Sequence, residues 1–283
     1  MPSLVALITA ATLTLLVACS TPAPRRAPPS RPQPKPPASV PAPPADFASI
    51  PDAVPRIEPR SKSGNPPFYD VLGQRYQVLS TAVGYEDRGV ASWYGPTFHG
   101  KSTSSGEPYD MYAMTAAHKT LPIPCYARVT NLANGRSVVV RINDRGPFVA
   151  NRLIDLSWTA AAKLDMLRDG TAFVSVQVLA PGSPPAPAIE ALATPGAAAP
   201  VFGPAKVLTL QVGAFANETN AASVMERVRA AGITQVYMSR SGQGTAALHR
   251  VRIGPLSSVA EFDELQSRLG TLGLPGARLV TDP

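Results

Sequence analysis

Two cysteines, Cys19 and Cys125, are all that this 283-residue chain contains, which excludes a fold stapled by a disulfide framework. Histidine is equally scarce. The three present, His99, His118 and His249, are far apart and lack ligand spacing, so neither a metal centre nor any other cofactor is expected. A Gly-rich phosphate loop is missing, and so is a Gly-x-Ser-x-Gly nucleophile. Concentrated positive charge is absent as well. Of the formal +7, about +4 precedes residue 84 and about +2 falls on each of two later segments, a spread that argues against nucleic acid as a partner. Finally, no charge of either sign occurs in the first 18 residues, MPSLVALITAATLTLLVA.

That uncharged start is about 15 apolar residues long, shorter than the roughly 20 of a spanning helix and suited to a secretory h-region. It ends in Leu16-Val17-Ala18-Cys19, which looks like a bacterial lipobox. Residues 1–18 therefore read as a lipoprotein signal peptide, with Cys19 the lipidated N-terminus of the mature chain. Ser20 takes the place of the aspartate that retains many lipoproteins in the inner membrane, and implies the outer membrane, facing the periplasm. Because Lys and Arg are missing before Cys19, an uncleaved anchor or a different start codon remains an alternative.

Proline is abundant, with 32 residues concentrated in the N-terminal third and again near Pro181–Pro204. Stretches of this kind bury too little apolar surface to offset the cost of ordering their backbone. They divide the chain into a tether over 19–67, a folded segment over 68–180, a Pro/Ala linker over 181–204 and a second folded segment over 205–283. Within the first, residues 68–83 form a strand-bearing lead-in. ARVTNLA and RSVVVRIN alternate around Asn134-Gly135 as a hairpin, and a helix over Thr159–Leu167 is capped by Ser157.

The second folded segment reads strand, helix, strand, strand, helix, strand, which gives a four-stranded antiparallel sheet with two helices on one face. Val224, Val228 and Ala231 share a face of its first helix. Ser258 and Glu261 form a capping box for its second, with Phe262, Leu265 and Leu269 inward. Period-2 alternation turns Val251 and Ile253 toward the helices and Arg250 and Arg252 away; on the first strand it leaves Thr209 and Gln211 outward.

Between Gly89 and Ser157, four ionisable residues, Glu107, His118, Asp144 and Asp155, sit among glycines, short strands and tight turns. Each has an ordinary structural explanation. Glu107 follows the Ser104-Ser105-Gly106 turn and suits a solvated turn position; Asp144 ends a strand beside Arg145, which could pair with it; a lone histidine is commonly structural; Asp155 suits a helix start. Cys125 reads as a small buried hydrophobe. Tyr94 could stack on a pyranose ring beside His99 or pack in the core.

The blocks ASWYG, FHG, SGEPYDM, TAAHKTLP, VTNLANGRSVVVRINDRGP and IDLS occur in order over Ala91–Ser157. In these the chain resembles the double-psi β-barrel domain of the rare lipoprotein A family of septal lytic transglycosylases. LQVGAF at Leu210–Phe215 and HRVRIGPL at His249–Leu256 resemble a SPOR domain, which binds glycan stripped of stem peptides. The fold implied is a six-stranded double-psi β-barrel plus a small α+β SPOR domain. The activity implied is endolytic cleavage of the MurNAc–GlcNAc bond to 1,6-anhydromuramyl ends during septal wall processing, by a monomer working beside divisome proteins. Glu107 would be acid and base, Asp144 the second carboxylate, His118 a support and Asp155 a fourth candidate. Tyr94, His99, Gln211, Arg250 and Arg252 would contact glycan. A non-catalytic, expansin-like wall-binding role is the alternative, since such barrels keep acidic grooves too.

Overall fold

The computed structural model describes Pro44 and residues 46–183, 207–242 and 247–281. The signal peptide, Cys19, the first part of the tether and most of the linker lie outside the described residues.

A hairpin of β1 (Phe68–Val71) and β2 (Gln74–Gln77) precedes the barrel. The barrel strands are β3 (Glu86–Trp93), β4 (Thr115–His118), β5 (Cys125–Asn131), β6 (Ser137–Asp144), β7 (Arg152–Leu156) and β8 (Thr171–Val178). They close in the order β3-β7-β4-β6-β5-β8. Two neighbouring pairs, β3 with β7 and β4 with β6, run parallel, and the others are antiparallel.

Strand alternation builds the interior. Val129 on β5, Val138, Val140 and Ile142 on β6, Ile154 and Leu156 on β7, and Val174 and Val176 on β8 point into one apolar cluster. Each such side chain, fully buried, contributes about 1.5–3 kcal/mol relative to exposure, so this cluster outweighs the surface ion pairs in holding the barrel closed. Gly89 permits the close approach of β3 to β7: a Cβ there would lie 2.8 Å from the Leu153 Cβ. Helix α1 (Trp158–Lys163) is capped by Ser157, whose side chain accepts from the Ala160 N–H at 3.3 Å. It stops four residues short of Leu167, because Asp165 adopts φ 58°, in the left-handed region that ends helices.

The tether expected to reach residue 67 gives way earlier to a strap laid along the barrel. The Ala53 N–H donates to the Val139 carbonyl at 3.0 Å, and Asp52 accepts from the Val139 N–H and the Lys163 ammonium. Ser61 and Asn65 bond the backbone of Ile123 in the same way. Composition hides this because the strap joins no ladder: it tolerates proline, uses side chains to satisfy barrel backbone groups, and packs Ile50 and Ala53 against the core.

The second segment contains β9 (Leu208–Phe215), α2 (Glu218–Ala230), β10 (Val236–Ser241), β11 (Leu248–Ile253), α3 (Val259–Thr271) and β12 (Arg278–Thr281). The sheet order is β10-β11-β9-β12, all antiparallel, over a core of Leu210, Val228, Val251, Ile253, Phe262, Leu265, Leu269 and Leu279. Ser258 caps α3 as expected, accepting from the Glu261 N–H, while Glu261 reaches back to the Ser257 N–H rather than to the cap residue itself.

Candidate active site

Three barrel strands bring two aspartates together. Ala117 on β4 pairs with Asp144 on β6 and with Asp155 on β7, and Asp155 in turn pairs with Ser92 on β3. Ser92, Asp155, Ala117 and Asp144 thus form one row across four strands. A β-bulge sets the register: Ala116 faces Ile142 and Ala117 faces Asp144, so Asn143 is the extra residue. Bulges re-aim side chains, and this one swings Asp144 into the row and turns Asn143 toward the loop above.

The Ser92 hydroxyl donates to Asp155 Oδ1. Burial of Asp155, with the Asp144 charge close by, raises its pKa above the ordinary range, against the opposing pull of Ser92 and Lys119. Asp144 is held differently. Its Oδ1 accepts from the Ser104 N–H and hydroxyl, each at 2.7 Å, and from the Arg145 N–H at 2.7 Å. The Arg145 guanidinium does not pair with it as the sequence suggested; it donates to the carbonyls of Gly64, His118 and Leu121, pinning the strap and the turn after β4.

Glu107 sits on the loop that carries Ser104, after Gly106 at φ 91°, a conformation that favours glycine. Its carboxylate is gripped rather than free. Arg141 Nη1 donates to Oε2 at 2.7 Å and Nη2 to Oε1 at 2.9 Å, and Asn143 Nδ2 donates to Oε2 at 2.9 Å. The hydrogen-bonded Arg141 guanidinium lowers the Glu107 pKa, so this group is ionised at neutral pH. Asn143 thus links Glu107 to the end of β6 that carries Asp144, Ala117 links Asp144 to Asp155, and the pKa values of Glu107 and Asp155 shift in opposite directions.

His118 is not available to either carboxylate. It is buried, its Nδ1 accepts from the backbone N–H groups of Thr120 and Leu121, and its Nε2 bonds the Tyr85 hydroxyl at 3.0 Å. With Nδ1 accepting, Nε2 carries the proton, and burial depresses the imidazole pKa to about 3. Both ring nitrogens are thus engaged by Tyr85, Thr120 and Leu121, and neither carboxylate is among these partners.

Tyr94 packs against Tyr109, ring centroids 4.1 Å apart, and its hydroxyl is buried. His99 Nδ1 accepts from the Met111 N–H at 3.2 Å, tying the ends of the Glu107 loop together. Beside Ser104 and Arg145, the rings of Tyr69 and Phe148 wall a cleft of about 390 Å³, and the β1–β2 hairpin supplies Tyr76 stacked on Tyr69. Burial raises the Cys125 pKa to about 12, which suits an inert thiol.

On the second segment, Val251 and Ile253 are buried under the helices, as alternation requires. Gln211 on β9 pairs with Arg252 on β11 and with Arg278 on β12, and Arg252 pairs with Tyr237 on β10. This row runs across the sheet face away from the helices, with Arg250 one step along β11. Thr209, expected outward and open, is fully buried: its Cγ2 lies where a Cβ on Gly254 would be only 3.0 Å away.

Sequence reasoning missed Ser92, Ser104, Arg141, Asn143, Arg278 and Glu58, the last of which also bonds Arg141. For Arg141 a signal existed, since a charged residue amid the alternating valines of RSVVVRIN must face away from the core.

Residues 86–176 match a family described as lytic transglycolase, and residues 204–278 match the SPOR domain family. The chain is 41% identical to the endolytic peptidoglycan transglycosylase RlpA of Pseudomonas aeruginosa over an alignment covering 81% of each chain. It is 51% identical to the Vibrio cholerae protein of the same name over 144 residues, 51% of this chain and 54% of the relative. Among solved structures, the RlpA SPOR domain from Pseudomonas aeruginosa is 36% identical, with 27% of this chain and 99% of that chain covered and a TM-score of 0.24.

Proposed function

Because the chain belongs to the RlpA family of endolytic peptidoglycan transglycosylases, we propose that its barrel cleaves the MurNAc–GlcNAc bond of glycan stripped of stem peptides, leaving 1,6-anhydromuramyl ends. One observation carries the assignment of roles: carboxyl groups joined in a single constellation have environments that push their pKa values apart, Asp155 upward and Glu107 downward. Asp155 gives its proton to the leaving glycosidic oxygen as the C1–O bond breaks. The muramyl C6 hydroxyl attacks C1, and Glu107 takes the hydroxyl proton. No water is consumed, and the two carboxyl groups regain their starting protonation by exchange with solvent. Asp144, fixed by Ser104 and Arg145, places negative charge near the developing oxocarbenium ion.

The SPOR sheet would hold the same substrate, with Gln211, Arg250 and Arg252 donating to sugar hydroxyl and acetamide oxygens. Tyr94 and His99 serve the groove by shaping the Glu107 loop. A lipid on Cys19 and the proline-rich tether would fix the enzyme to the outer membrane, enriched at the septum and within reach of divisome proteins.

Products made from denuded glycan, separated and weighed by mass spectrometry, test this reading. Wild type should yield anhydromuramyl ends, and Asp155→Asn and Glu107→Gln should each lower their rate by about 10²–10⁴-fold, the usual contribution of general acid–base catalysis. Full activity in Asp155→Asn would return both proton transfers to Glu107, and absence of anhydro ends from wild type would leave only the non-catalytic, wall-binding role.

A further inference from the structure

The Arg141 guanidinium serves two carboxylates through two edges. Its Nε and Nη2 donate to Glu58 Oε1 and Oε2 at 3.0 and 2.8 Å, while Nη1 and Nη2 donate to Glu107. The two edges differ in shielding: the Glu58 side chain is 16% exposed, that of Arg141 17%, and that of Glu107 44%. Glu58 is anchored in turn, receiving the Tyr126 hydroxyl from β5 and, at 3.1 Å, the Arg56 Nε from its own strap. Glu107 is faced by Arg141 and Asn143 from β6, with Glu58 beyond the guanidinium.

From this geometry we infer that Glu58, on the strap before the barrel, is a positioning residue: it locks the inner edge of Arg141 so that the outer edge presents Glu107 to the groove. The inference rests on the reading of Glu107 as a proton acceptor. An arginine side chain has several rotatable bonds, and one carboxylate at its exposed tip would not fix it. A second, shielded bidentate partner does. Glu58 also shares the guanidinium charge, so Glu107 remains basic enough to take a proton. Losing Glu58 would leave Arg141 to Glu107 alone, loosening its position and favouring its ionised form more strongly.

The test uses the full chain carrying Glu58→Gln, Glu58→Asp or Glu107→Gln, with kinetics on denuded glycan and an NMR titration of side-chain carboxyl carbons. Glu58→Gln should lower kcat about tenfold at nearly unchanged KM and move the Glu107 midpoint to lower pH. Glu58→Asp, which keeps the charge, should restore part of both. A purely structural Glu58 would lower Tm while leaving kcat of the folded protein and the Glu107 midpoint as in wild type, and that result overturns the inference. Glu107→Gln with wild-type kcat would instead remove the role given to Glu107, while an unmoved midpoint in Glu58→Gln would still decide against charge sharing on its own.

Discussion

Asp144 and Asp155 stand on either side of a single residue, Ala117, which pairs with both from the strand between them. A neighbouring negative charge disfavours the ionised form of a carboxyl group, and burial does so too. Both act on Asp155, burial first and the Asp144 charge after it. Asp144→Asn should therefore lower the Asp155 midpoint, because a neighbouring negative charge is removed. Carboxyl-carbon NMR titration of the two proteins checks this; an Asp155 midpoint that fails to fall would show that burial alone raises its pKa.

His118 supplies a second expected outcome. Its folded-state pKa is about 3 against an ordinary 6.5, so the stability it confers is fully present above about pH 6.5 and is lost as pH falls toward 3. His118→Ala removes the bonds to Tyr85, Thr120 and Leu121 and empties a buried site. The cost should be roughly 2–4 kcal/mol, visible as a lowered urea midpoint at pH 7.5. Loss of activity with an unchanged midpoint would instead restore a direct role in the reaction.

How much of this could be read from the sequence depends on contact range. The β5–β6 hairpin was readable because Asn134-Gly135 and the flanking alternation are local signals, and the pairing from Cys125–Ile142 to Thr130–Ser137 follows from them. The helix start was readable from Ser157, but its end was not, since Asp165 carries no glycine to announce a left-handed turn. Grouping of the acidic residues was expected from the family resemblance, yet the opposite directions in which Glu107 and Asp155 are shifted were not. That depends on Arg141 reaching a glutamate 34 positions earlier and on a one-residue bulge at Asn143, neither of which has a period. The strap was hidden for a related reason: its bonds to the barrel come from single side chains spaced along a proline-rich segment.

Acid stability should report on that strap. Glu58, held by Arg141, has its pKa lowered from 4.5 to about 2. A depressed folded-state carboxylate stabilises above its unfolded value and loses that contribution as pH falls through the folded one. Tm should therefore decline between about pH 4.5 and 2, and Glu58→Gln should flatten this part of the curve while lowering Tm at neutral pH. Equal acid slopes in the two proteins would mean that the pair forms in the unfolded chain or contributes nothing.

On the second segment, the row Tyr237, Arg252, Gln211 and Arg278 offers a strip of hydrogen-bond donors across four strands, spaced about 4.8 Å apart by the sheet itself. Such a strip suits an extended polymer whose polar groups recur along its length, and no single residue should dominate. Gln211→Ala and Arg278→Ala are expected to weaken retention on amidase-treated sacculi by a few-fold each. Gln211→Ala with Arg252→Ala should weaken it by at least tenfold, about 1.4 kcal/mol. Pull-down with quantitative immunoblotting measures this, and for the Gln211 and Arg252 variants the barrel's activity on short soluble glycan serves as the internal control, because these two residues lie on β9 and β11, outside the barrel. If the double variant binds as wild type does, the glycan contacts lie elsewhere on the domain and the open face of the sheet is only solvated surface.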